Sequence, residues 1–295
     1  MKRWIPTAIV ILLVFMGLFL LLYPTVSDYV NTQGYRRTIE DLQEQVEELD
    51  GEESEALLAA AQAYNERLAA RTESVLELTE EEFAEYESLL DLTGIGLMGY
   101  VTIEKISVSL PIYHGADETA LQRGVGHLPQ SSLPVRGESV HTVLIGHNGL
   151  TSAKLFTHID RLAVGDTFAV QTLDETLTYE VDQILTVLPD EIDALAIQEG
   201  KEYCTLLTCV PYGVNSHRLL VRGHRIETPG AGQSSGPLPG IGVEIVLLGG
   251  AVLLGLLIIL AALLRFHPNG WKRYKGHRLE ERENATDHTI GDRGE

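Results

Sequence analysis

Two long apolar runs, one near each end, limit what this 295-residue chain can fold into. Residues 7–23 (TAIVILLVFMGLFLLLY) carry no charge, and residues 241–264 carry one acid, Glu244, close to their outer end. The first would cover about 26 Å as a helix, and both lengths suit a bilayer hydrocarbon core of about 30 Å. Both read as transmembrane helices, so the folded body must lie between them. The alternative for the first is a cleaved signal peptide. Its length and the lack of an A-x-A-like site argue against that.

The charges give an orientation. Lys2 and Arg3 precede the first run, and Arg265, Lys272, Arg273, Lys275 and Arg278 follow the second. The positive-inside rule then puts both termini in the cytoplasm and everything between outside. Residues 24–240 hold 13 Lys/Arg against 35 Asp/Glu, a net of −22. That balance excludes a nucleic-acid binder, which needs a basic face.

Beyond the first run, Ile39, Leu42, Val46 and Leu49 recur at helical spacing until Gly51 interrupts them. Leu57, Ala61, Tyr64 and Leu68 repeat the pattern across 54–70, predicting an αα-hairpin with an acidic solvated face. Residues 75–90 predict one further short helix. From Met98 the composition shifts to Gly, Val, Ile and Thr in short runs: GYVTIE, ISVSLPIY, VHTVLIGH, DTFAVQT, TLTYEVDQILTVL, EYCTLLTC and SHRLLVRGHR. Short strands between Pro/Gly turns predict a β-barrel or sandwich. Residues 190–201 connect with some helical character, and 228–240 form a Gly/Ser/Pro linker.

The chemistry concentrates in TLLTCVPYGVNSHRLLVRGHR, residues 205–225. A Pro-Tyr-Gly turn between two β-prone segments predicts a hairpin with Cys209 ending one strand and Arg218, Arg222 and Arg225 on the next. A thiol needs a base or a positive charge nearby to act as a thiolate. Arginine keeps its charge and can face a developing oxyanion. A buried cysteine beside a solvated basic strand would give the same pattern. The only other cysteine, Cys204, lies five residues away on the opposite face of the same strand, so both are expected as free thiols. A zinc site is not expected from two such cysteines. As a base, His147 stands out where an apolar strand enters an Asn-Gly turn; His114, His127, His141, His158, His217 and His224 are eligible by residue type.

The segments GYVTIEKISVSLPIYHG, GVGHLPQSSLPVRG, VLIGHNGL, LFTHIDRLAVGD and TLLTCVPYGVNSHRLLVRGHR, in this order, resemble the class C sortases. These are pilin-polymerising membrane cysteine transpeptidases of Gram-positive bacteria. The resemblance implies Cys209 as nucleophile, His147 as acid/base, and Arg218 rather than Arg222 or Arg225 as oxyanion stabiliser. Strand alternation places Arg218 and Arg222 on one face, which keeps Arg222 as a rival. The implied reaction cuts an LPXTG-like signal between Thr and Gly and passes the acyl group to a pilin lysine. The implied partners are LPXTG-bearing pilin or surface proteins and the bilayer; no cofactor or metal is implied.

Departures from the family are equally specific. Many members carry an Asp-Pro-aromatic lid motif; residues 72–80 (TESVLELTE) lack it, leaving Glu77 and Leu78 as positional candidates only. Val210 stands where Thr is usual, and Cys204 has no family role and reads as a core thiol. The expected architecture is mainly β: a sortase-type closed barrel of about eight strands with an N-terminal helical appendage and two flanking transmembrane helices. The expected boundaries are a cytoplasmic 1–6, a span at 7–23, a helical region with a possible lid at 24–97 and a catalytic barrel at 98–227. The linker at 228–240, the second span at 241–264 and a cytoplasmic tail at 265–295 complete the chain. Two other functions fit the sequence: attachment of surface proteins to cell-wall peptide, and a membrane-tethered scaffold binding partners through its acidic helices. A papain-like protease is disfavoured because there the cysteine precedes the histidine.

Overall fold

The computed structural model describes residues 5–71, 78–149 and 153–228, together with Val252 and Gly255. The chain divides into two units, Met1–Leu238 and Pro239–Glu295. Apart from Val252 and Gly255, the expected span at 241–264 lies outside the described residues, as do residues 72–77 of the possible lid, Glu77 among them.

The first unit opens with one continuous helix, α1 (Ile5–Glu48), with Pro24 inside it. The expected first span and the first half of the expected hairpin are therefore a single rod. Within it, residues Leu12–Glu48 are long and apolar enough to cross a membrane. The turn into α2 (Gly51–Ala69) is fixed by a capping box: Glu53 N–H donates to Asp50 Oδ1 at 2.8 Å and Asp50 N–H to Glu53 Oε2 at 3.3 Å. A second capping box, Thr79 with Glu82, starts α3 (Glu80–Ser88). Ion pairs Arg67–Glu85 and Arg71–Glu82 tie α2 to α3.

Eight strands close into a barrel in the order β1-β2-β3-β4-β7-β8-β6-β5. They are β1 (Leu97–Ile103), β2 (Val108–His114), β3 (Val125–His127), β4 (Val140–Ile145), β5 (Thr167–Thr172), β6 (Glu175–Val187), β7 (Glu202–Val210) and β8 (His217–Ile226). β2–β3 and β4–β7 pair in parallel; the other pairs are antiparallel. Seven strands follow the seven β-prone runs. The eighth, β3, has only three residues, too few for alternation to show. A short helix, α4 (Glu118–Arg123), is likewise not signalled; Asp117 caps it by accepting from Ala120 N–H at 2.8 Å.

Alternation sorts the barrel side chains. Leu144, Cys204, Leu206, Leu219 and Val221 face inward into the main core with Phe156, Phe168 and Tyr179. Burial pushes the Cys204 thiol well above its usual range, so it is an inert core group. The appendage docks through buried polar groups rather than apolar contact alone. Asn65 on α2 donates to Leu133 O at 3.0 Å and accepts from Leu133 N–H at 2.8 Å. Tyr86 on α3 meets His127 Nδ1 through its hydroxyl at 3.0 Å and accepts from Gly115 N–H at 2.9 Å.

His127 is fully buried, and desolvation drives its pKa down to about 3. Burial lowers His141 as well. Unfolded histidines take protons near pH 6.5, so the unfolded state binds protons first as pH falls. Stability carried by His127 is complete above that value and is lost on acidification toward about 3. Equilibrium denaturation from roughly pH 7.5 to 5 should lose about 2 kcal/mol through His127 alone. The slope should flatten in His127→Gln, and a pH-independent wild type would contradict the assignment.

Candidate active site

Cys209 is the next-to-last residue of β7 and is directly paired with Arg218, the second residue of β8. The hairpin expected from the Pro-Tyr-Gly turn is the β7–β8 connection. β4 lies alongside β7 in parallel register, from Val140 opposite Glu202 to Ile145 opposite Leu207. Hydrogen bonds carry that register past the end of β4: Gly146 N–H donates to Leu207 O at 3.0 Å and Asn148 Nδ2 to Cys209 O at 2.9 Å. The buried Thr208 hydroxyl adds a bond to Gly146 O at 2.6 Å. His147 thus stands at the level of Cys209, two residues beyond the strand that was expected to include it.

All three lie on the outer face of the sheet. Counting by twos from Val143, Leu207 and Leu220, which share an outer apolar cluster, leads to His147, Cys209 and Arg218. Ile145, Leu185, Val187, Ala194 and Leu195 pack around the same cluster, so an apolar floor adjoins the three polar groups. Cys209 and His147 are partly exposed. His147 Nε2 is buried without a hydrogen bond, 3.6 Å from Glu118 Oε2 on α4. That distance exceeds a hydrogen bond, and the Glu118 side chain is 69% exposed, so the pairing contributes little energy.

The loops at this pole brace one another. Phe156 N–H donates to His147 O at 3.1 Å, and Gly149 N–H to Thr157 Oγ1 at 3.0 Å. Gly149 has φ +81°, and the Tyr212 ring lies so close over it that a Cβ there would overlap the ring. Arg218 Nη1 donates to Asn215 O and His217 O, each at 3.1 Å, which holds the guanidinium at the turn beside Cys209.

The other candidates are engaged elsewhere. Arg222 shares the outer face but sits four residues along β8, about 13 Å away. It makes a two-pronged pair with Asp182 at 3.0 and 2.9 Å and lies 4.2 Å over the Tyr203 ring. Arg225 faces inward and approaches Glu202 Oε1 at 3.3 Å. His141 bridges Ala196 O at 3.0 Å and Thr205 Oγ1 at 2.8 Å. His114 packs on Tyr86, and His217 contacts Ser216 at the turn. His158 precedes a single helical turn, and His224 pairs with Tyr203 and Glu180 across its neighbours. Glu118, near His147, and Asn148, bonded to Cys209 O, are neighbours of the site that residue type did not flag; only the Asn-Gly turn hinted at Asn148. Among the described residues no group of three His, Cys, Asp or Glu side chains could hold a metal ion.

Residues 101–226 match the family model of the sortase domain. Sortase D of Bacillus subtilis is 31% identical over 131 residues, which are 43% of this chain and 63% of that protein. The chain thus spans less than two thirds of that curated relative's length. Among solved structures, sortase C1 of Streptococcus agalactiae is 46% identical with a TM-score of 0.63, over 65% of this chain and 99% of that one. A sortase C of Clostridium perfringens, solved with the C-terminal cell wall sorting motif, is 42% identical with a TM-score of 0.56, over 65% and 99%. An eight-stranded barrel with the register described above, matched over nearly the whole length of sortase C structures, leaves one conclusion: the chain belongs to the sortase family of cysteine transpeptidases, with sortases C as its structural neighbours.

Proposed function

We propose that the chain is a membrane-anchored transpeptidase that cleaves an LPXTG-like sorting signal between Thr and Gly and transfers the acyl group to a pilin lysine. The observation that carries this reading is the Cys209–Arg218 cross-strand pair, with the chain beyond β4 hydrogen-bonded to β7 at Gly146 and Asn148, on either side of His147. In the first half-reaction the Cys209 thiolate attacks the threonine carbonyl carbon, and the oxyanion forms beside the Arg218 guanidinium. The C–N bond breaks, His147 gives its proton to the departing glycine amine, and a thioester remains. In the second, the lysine amine attacks the thioester. The amide forms, the thiolate leaves, and the amine proton passes back to His147.

The apolar floor beside Cys209 suits the leucine and proline of such a signal. The acceptor follows from the likeness to sortases C; an amine of cell-wall peptide is the other acceptor. The apolar part of α1 serves as the anchor. The test is to incubate the full chain in detergent with an LPXTG peptide and a pilin subunit and to analyse it by mass spectrometry. A peptide adduct on Cys209 and an isopeptide-linked product are expected. Adduct that moves only to a wall-peptide amine would assign the other acceptor, and no adduct would remove the reading. Arg218→Gln is expected to lower kcat about 10²-fold with little change in stability. Arg222→Gln should instead destabilise the fold by leaving Asp182 unpaired, because its guanidinium is committed there.

A further inference from the structure

The catalytic pole is where β4 and β7 end and β8 begins, and α1 runs along the barrel from it toward the other pole. At the catalytic pole, Asp28 Oδ1 accepts from Lys154 N–H at 2.9 Å and its Oδ2 lies 3.1 Å from Lys154 Nζ. Lys154 belongs to the segment that continues from His147 and bonds back to it through Phe156. Further along, Ile39 and Leu42 pack with Leu97, Tyr100 and Tyr113, and Gln43 Nε2 donates to the Tyr100 hydroxyl at 2.9 Å. At the far pole, Ser54 Oγ donates to Asp174 Oδ1 in the β5–β6 turn at 3.0 Å. Followed backwards, the apolar start of α1 must leave the barrel from the catalytic pole. Asp28 is five residues past Tyr23, about 8 Å along a helix. The headgroup region adds roughly 5–7 Å to each side of the hydrocarbon.

The same pole carries uncovered apolar groups. Tyr212 and Val214, in the β7–β8 turn, are 64% and 70% exposed. Single exposed apolar residues are ordinary; these two sit at the same pole of the barrel from which the membrane helix departs, and tyrosine favours the membrane–water boundary. The geometry points to a catalytic pole that rests on the bilayer surface, with Tyr212 and Val214 entering the headgroup layer. The partner is the lipid surface itself, continuous with the bilayer that takes α1. This placement concerns where the pole sits, not what it catalyses, so it stands apart from the acyl-transfer reading.

The test uses the full chain with Trp4 and Trp271 replaced by Phe and one tryptophan reintroduced at Val214, Tyr23 or Glu199. Glu199 is exposed and lies at the far pole, next to Gly200, whose N–H bonds Ser139 Oγ at 2.9 Å. Each variant is reconstituted in phosphatidylcholine–phosphatidylglycerol vesicles with bromine atoms high on the acyl chains. Val214→Trp and Tyr23→Trp should lose most of their emission to bromine quenching, and Glu199→Trp should keep its emission. Quenching at Tyr23→Trp with Val214→Trp no more quenched than Glu199→Trp overturns the placement, as does equal quenching at both poles. Unquenched Tyr23→Trp would overturn it at its root by removing α1 from the bilayer. A Cys209→Ala background should leave the pattern unchanged, whatever the fate of the transpeptidase proposal.

Discussion

Cys209→Ala should abolish turnover of an LPXTG-like peptide, lowering it about 10⁴-fold or more, while the barrel unfolds at nearly the wild-type temperature. The side chain is partly exposed at the end of β7, so removing one sulfur opens no core cavity. What it removes is the atom that must form the thioester, and no neighbouring group can replace it. The chain contains its own control. Cys204 is fully buried among Leu206, Val221 and Tyr179, so Cys204→Ala should lower stability and leave turnover nearly intact. Peptide cleavage followed by chromatography, with thermal unfolding on both variants, separates the two effects. Cleavage by Cys209→Ala at more than about 1% of the wild-type rate would leave the chemistry without its nucleophile.

His147→Asn should lower kcat about 10²- to 10⁴-fold, the range for losing a positioned proton donor, with the fold retained. Asparagine keeps a polar group of similar reach but carries no exchangeable proton of the right kind. The half-reaction that expels the glycine amine should suffer most, because that amine cannot leave unprotonated. The comparison is with the interior histidines. His127 and His141 are buried and bonded on both ring nitrogens, so His127→Asn or His141→Asn should cost stability first and turnover only as a consequence. A stable His147→Asn enzyme with unchanged kcat would take His147 out of the mechanism.

Much of this architecture is legible in the residues. Seven β-prone runs give seven strands because alternating side chains suit a sheet with one buried face. β3 and α4 escape because three and six residues are too short to display a period; their partners hold them in place. α1 is longer than its two apolar patterns suggest. Pro24, the residue just past the expected first span, stays inside the helix. Among the histidines, residue type offered no choice. Tertiary burial separates them by satisfying His127 and His141 in the interior and leaving His147 at a rim.

The arginines make the same distinction more sharply. Alternation alone puts Arg218 and Arg222 on the same face, and that much any strand would decide. Which of them lies beside the sulfur is set by the β7–β8 register, which pairs Cys209 with Arg218 and Arg222 with Thr205, while Asp182, forty residues earlier on β6, reaches across to bind Arg222. Local composition and spacing therefore determine the apolar helix, the strands, the hairpin and the thiol at its end, because each is set by neighbours a few residues apart. The placing of His147 level with Cys209, and of the start of α1 at the same pole, belongs to the closed barrel alone. It depends on parallel register between β4 and β7 and on Asp28 meeting Lys154 across more than a hundred residues, contacts that no local pattern encodes.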